Sequence, residues 1–171
     1  VRLQRVIALP AFLAWLAYPP LSLLLAPLFE NAPAALPSLA VVIPMCLFEA
    51  KSRGLAAVFL KTVRSERALM VINIAALAAA VAVATIGAYR LDSIFVTLVA
   101  VVVGTGLRSV LSDYWIGRRL GVNVLGPSAV DVAFAAGFLV IVWLDFPLWG
   151  LAALYVTVIG YCALEWLRYR R

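Results

Sequence analysis

The chain has 171 residues, of which 66% are hydrophobic and 13% charged, with a net charge of +6 and no histidine. A soluble domain is about 45–50% apolar and about 25% charged; with so little polar material and a mean hydropathy of +1.09, this sequence reads as an all-α polytopic membrane protein. A soluble enzyme, a disordered tail and a disulfide-stapled secreted module are excluded, and without histidine so are His-dependent triads, HExxH zinc sites and imidazole proton relays.

Taken in chain order, the apolar runs predict a single transmembrane domain over 1–171 with six spans. Residues 6–29 carry no charge, enough for the first span. This run is too long and too rich in proline for a signal peptide and lacks a small-residue cleavage site, so it reads as a retained helix. The second span, 34–60, is interrupted by Glu49, Lys51 and Arg53. Prolines 10, 19, 20, 27, 33, 37 and 44 crowd these two helices and predict kinks or breaks, because proline removes a backbone donor and clashes with the preceding turn. A polar loop, 61–67, leads to a third span at 68–89, with Ser65 as its expected N-cap. That span is rich in alanine, whose small-xxx-small spacings allow close helix approach, and is expected to pack inside the bundle. Asn73 is its one group able to hydrogen-bond across to a neighbour. The fourth span, 93–117, contains Gly104-Thr-Gly106, a place to loosen the helix or admit a neighbour. The fifth is 124–144. Asp145 and Pro147 then form a turn into the sixth, 147–167.

The basic residues test this count. Along the seven segments that flank six helices, Lys and Arg number two, none, three, one, two, none and three. Alternate segments thus hold ten on one side and one on the other. That asymmetry places both termini in the cytoplasm, with Glu30, Asp92 and Asp145 at the outer turns. The positive charge is explained by topology, and nucleic acid is not expected as a partner. Tyr89, Trp115, Trp143, Trp149, Trp166 and Tyr169 lie near span ends, where amphipathic rings favour the headgroup region. Cys46 and Cys162 sit in apolar runs and read as buried small hydrophobes.

Six ionisable residues fall within the spans: Glu49, Lys51, Arg53, Arg108, Asp113 and Asp131. At about 1.5 Å per residue each lies in the cytoplasmic half of its helix. A charge at the bilayer centre costs about 2.5–3.5 kcal/mol on insertion scales, so these groups must face one another, water or the inner surface. Glu49 and Arg53 stand at i, i+4 in the favourable order for pairing, and Lys51 projects about 160° from Arg53. One reading has Lys51, Arg53, Asp113 and Asp131 snorkel to the inner surface while Glu49 and Arg108 find local partners. The sharper one has a cytoplasm-facing cavity in which Arg53, Arg108 and Lys51 bind an anion, guanidinium being suited to phosphate, with Glu49, Asp113 and Asp131 as charge-pairing groups. Asp113 and Asp131 stand isolated in sequence, without the dense aspartate array of membrane phosphatidyltransferases. No metal cluster, Gly-rich phosphate loop or nucleophile–base pair is present in the sequence, so no enzyme activity and no cofactor are expected.

The stretch from Leu25 to Asn123 resembles the C-terminal part of polysaccharide flippases, the Wzx-like branch of the MOP superfamily. The resemblance is carried by Leu-Ala-Pro-Leu-Phe-Glu (25–30), Leu39-Ala-Val-Val-Ile-Pro-Met-Cys-Leu-Phe48, Val58-Phe-Leu-Lys-Thr-Val-Arg-Ser-Glu-Arg-Ala-Leu69 and Ile72-Asn-Ile74. It implies alternating-access transport of a polyprenyl-pyrophosphate-linked oligosaccharide across the cytoplasmic membrane. It also implies a further lobe beyond these helices, or a second copy in its place, among membrane lipid. Two other readings stand beside it: a non-transporting scaffold or assembly subunit of a cell-envelope complex, and a small stand-alone transporter working as a homodimer.

Overall fold

The computed structural model describes residues 15, 17–28, 32–122, 125–144 and 148–170. Among them every regular element is helical: α1 (Tyr18–Leu28), α2 (Ala32–Lys51), a π-helical segment (Ser52–Ala56), α3 (Ala57–Thr62), α4 (Glu66–Tyr89), α5 (Ile94–Leu120), α6 (Leu125–Trp143) and α7 (Leu148–Arg170). Three helices, Glu66–Tyr89, Ile94–Leu120 and Gly126–Trp143, are long and apolar enough to cross a membrane, and Ala152–Leu164 is a shorter apolar stretch. The chain is accordingly a helical membrane protein. Residues 6–14, 16 and 29 of the first predicted span, and the turn at Asp145 and Pro147, lie outside the described residues.

The central element is α5, which packs against α2, α4 and α6. Two glycines explain how closely it is approached. A Cβ on Gly104 would stand 2.9 Å from the Ala80 Cβ and 3.3 Å from the Ala76 carbonyl oxygen, so the α4 backbone lies directly against it. Gly106 faces the other way, onto the ring of Phe48 on α2. Lipid is as apolar as leucine, so close van der Waals fit rather than water exclusion holds such helices together. The second contact region is aromatic. Trp15 stacks on Phe138 at 5.3 Å, Tyr18 meets the same ring edge-on at 5.6 Å, and Tyr155 of α7 donates a 2.7 Å hydrogen bond to the Trp15 carbonyl. These residues, with Ala40, Leu47, Phe48, Val102 and Val158, make the core.

Several expectations require correction. α4 is peripheral rather than enclosed: Ala68, Ile72, Ala76 and Gly87 are buried, while Met70, Val71, Ile74, Leu77 and Val81 face outward. Its alanines serve one close contact with α5, not packing on every side. Asn73 is exposed and makes no hydrogen bond to another described residue. α2 runs unbroken through Pro37 and Pro44, and Pro44 is fully buried; neighbouring helices tolerate the lost backbone bond without interruption of the helix. The interruption expected at Glu49–Arg53 takes another form, since helix continues from 32 to 62 through the π segment. Ser65 occupies the N-cap position of α4, but its side chain makes no capping bond.

Elsewhere the ends follow elementary rules. The Ser93 hydroxyl accepts from the Val96 amide at the start of α5. Gly121, at φ +65°, ends the same helix in a left-handed turn after Arg118 and Arg119, a conformation that costs glycine nothing.

Candidate functional site

Three helices bring their charged residues to one point. Lys51, the last residue of α2, projects into the bundle, where its Nζ donates to the Asp131 Oδ2 of α6 at 2.6 Å and to the Asp113 Oδ2 of α5 at 3.2 Å. The side chains of Lys51, Asp113 and Asp131 are only 4%, 4% and 8% exposed. Ser128, one turn before Asp131 on α6, donates to the same Asp113 oxygen. Ser52, Ser109 and Ser112 are also buried. The result is a polar knot within a largely apolar interior, in which Lys51 of α2 reaches an aspartate on each of α5 and α6.

Local geometry explains the arrangement. An α-helix turns about 100° per residue, so Lys51 and Arg53 face nearly opposite ways. Inward-facing Lys51 meets the two aspartates. Arg53 points out, 76% exposed, and its Nε donates to Glu49 Oε2 one turn earlier, that carboxylate being 22% exposed. The change of side falls where α2 passes into the π segment, which widens one turn by a residue; such single-turn insertions are frequent at functional sites.

The anion-binding set read from sequence is therefore not assembled. Lys51 is buried and Arg53 exposed on the opposite side of the same helix, so the two do not converge. Lys51 is committed to two carboxylates and does not snorkel. Arg108 is half-buried on α5, with no hydrogen bond or ion pair to another described residue. Asp113 and Asp131, isolated in sequence, share one ammonium in space. Cys46 is exposed rather than buried, on the outward side of α2. Ser128 was not anticipated, although the spacing Ser128-x-x-Asp131 places both on one face of α6.

Beside the polar knot lies an apolar cavity of about 510 Å³ between α5 and α6. Phe95 and Trp143, stacked with centroids 6.3 Å apart, line one end. Phe48, Val110 and Val132 line it next to the charged residues, being respectively three residues before Lys51, three before Asp113 and adjacent to Asp131. The lining is apolar throughout, and the buried ions stand on the same three helices within three residues of it.

No protein-family model, curated protein or solved structure matches the chain.

Proposed function

We propose that the chain acts as one lobe of a polysaccharide biosynthesis transporter, moving a polyprenyl-pyrophosphate-linked oligosaccharide across the cytoplasmic membrane by alternating access. The observation that carries a transport reading is the Lys51–Asp113–Asp131 cluster. Ionisable groups within a membrane bundle are costly, and their default reading is functional. Three ions that tie α2, α5 and α6 together make a contact able to form in one state of a transporter and loosen in another. The apolar slot beside them suits a hydrocarbon chain. The sequence resemblance over 25–123 supplies the substrate class.

In this reading the six spans run with both termini in the cytoplasm, as the alternation of basic segments requires, and the lobe works against a second lobe or a second copy of itself. The test is made in the source cell. Removing the gene is expected to make lipid-linked oligosaccharide accumulate in a form protected from a membrane-impermeant oxidant applied to spheroplasts, and restoring the gene should reverse both effects. Unchanged amount and sidedness of that lipid would refute transport. Crosslinking in the same membranes reports the other lobe: a partner protein or a self-crosslinked pair is expected, and capture by an envelope assembly with normal lipid turnover favours the scaffold.

A further inference from the structure

We infer that the outward face of α2 and the π segment, formed by Met45, Cys46, Glu49, Ala50, Arg53 and Gly54, lines a water-filled cleft at membrane depth in which Arg53 attracts phosphate-bearing headgroups. This inference rests on the membrane reading above, with Lys61, Arg64 and Arg67 at the cytoplasmic surface. Arg53 then lies eight residues, about 12 Å of helix, inside that surface, and Glu49 about 18 Å inside. The hydrocarbon layer is about 30 Å thick, so the pair sits well within it.

An arginine that faced lipid at this depth would extend towards the surface. Arg53 does the opposite, since it bends back one turn to Glu49, away from Lys61. Helical Cα–Cβ bonds already lean towards the N-terminus, so its reach towards the cytoplasmic surface is short. A guanidinium so exposed and so directed calls for water beside it. The face also bears an open depression of about 510 Å³, lined by Met45, Glu49, Ala50, Arg53 and Gly54. Glu49 holds the guanidinium by Nε, and no other described residue hydrogen-bonds its two Nη groups. Those groups form the fork that meets two oxygens of a phosphate. Glu49 carries the acceptor oxygens for hydroxyls of the same headgroup.

Cys46 is exposed on this face, two turns deeper than Arg53, and serves as a built-in probe. The full chain would be labelled in native membrane vesicles of both orientations on a Cys162→Ser background. Two membrane-impermeant methanethiosulfonates of opposite charge are used, with N-ethylmaleimide to titrate the total thiol of each variant. Cys46 is expected to react with both charged reagents from one side of the membrane. Arg53→Gln should shift the ratio of anionic to cationic rates by about fourfold, from one charge about 10 Å away in water. Inorganic pyrophosphate at constant ionic strength should slow the anionic reagent with Arg53 present and not in R53Q. Reaction with N-ethylmaleimide alone would place Cys46 against lipid and overturn the cleft. An unchanged rate ratio, or equal pyrophosphate effects in the two proteins, would overturn the role of Arg53. Labelling needs no transport, so its failure and failure of the lipid-accumulation test are separately visible.

Discussion

Replacing Lys51 by methionine should be the most damaging single change in the described bundle. Its ammonium lies 2.6 Å from Asp131 and 3.2 Å from Asp113. With an effective dielectric constant of about 20, those separations correspond to about 6 and about 5 kcal/mol of gross attraction, much of it offset by desolvation of three ions. Removing the cation leaves two carboxylates buried together, and breaking a buried ion pair from one side costs about 3–5 kcal/mol. Removing all three charges is different, because replacing a buried ion triad by well-packed hydrophobic residues of similar volume is often neutral, and asparagine keeps the shape of each carboxylate and an acceptor oxygen for Ser128. Lys51→Met should therefore lower stability by about 3–5 kcal/mol, and K51M/D113N/D131N should return to within about 1–2 kcal/mol of the native chain. Denaturation of the full chain from mild detergent with dodecyl sulfate, followed by circular dichroism, measures both. A single variant within about 1 kcal/mol of the native protein, or a triple variant as weak as the single, would refute the view that these ions stabilise one another.

Gly104 and Gly106 of α5 should respond oppositely to alanine in the same assay. Gly104→Ala forces a methyl to 2.9 Å from Ala80 and should cost about 1–3 kcal/mol; in Gly106→Ala the new methyl meets Phe48 at 3.5 Å, so helix propensity decides and stability should rise by up to about 1 kcal/mol. Tyr155→Phe removes the 2.7 Å bond to the Trp15 carbonyl and should cost about 1 kcal/mol, whereas an unchanged unfolding midpoint would make that contact incidental. If Arg108 contacts an anionic substrate, Arg108→Ala should reduce oligosaccharide transport by about tenfold or more, as expected for a charged hydrogen bond of about 1.5–3 kcal/mol, and Arg108→Lys should recover part of it; normal transport by both would make the residue structural.

The features legible in the sequence are those in which a charge or a backbone rule decides. Long apolar stretches mark the helices α4, α5 and α6, and the i, i+4 spacing of Glu49 and Arg53 describes a pair that is present. The opposed directions of Lys51 and Arg53 follow from helical geometry alone. What stands at the end of each direction is non-local. Lys51 meets partners 62 and 80 residues away, and only the packing of α2, α5 and α6 brings them together. The misplaced apolar residues share another cause. In water, hydrophobicity separates inside from outside; in a bilayer both are apolar, so an apolar run does not reveal which of its faces is buried. Cys46 and the outward side of α4 are therefore invisible to composition, and so is the apolar slot between α5 and α6. Charges keep their directional meaning because lipid penalises them on any face. Each ion inside a span must have an answer in space, which is why Lys51, Asp113 and Asp131 can be found as a problem in the sequence and only as a solution in the fold.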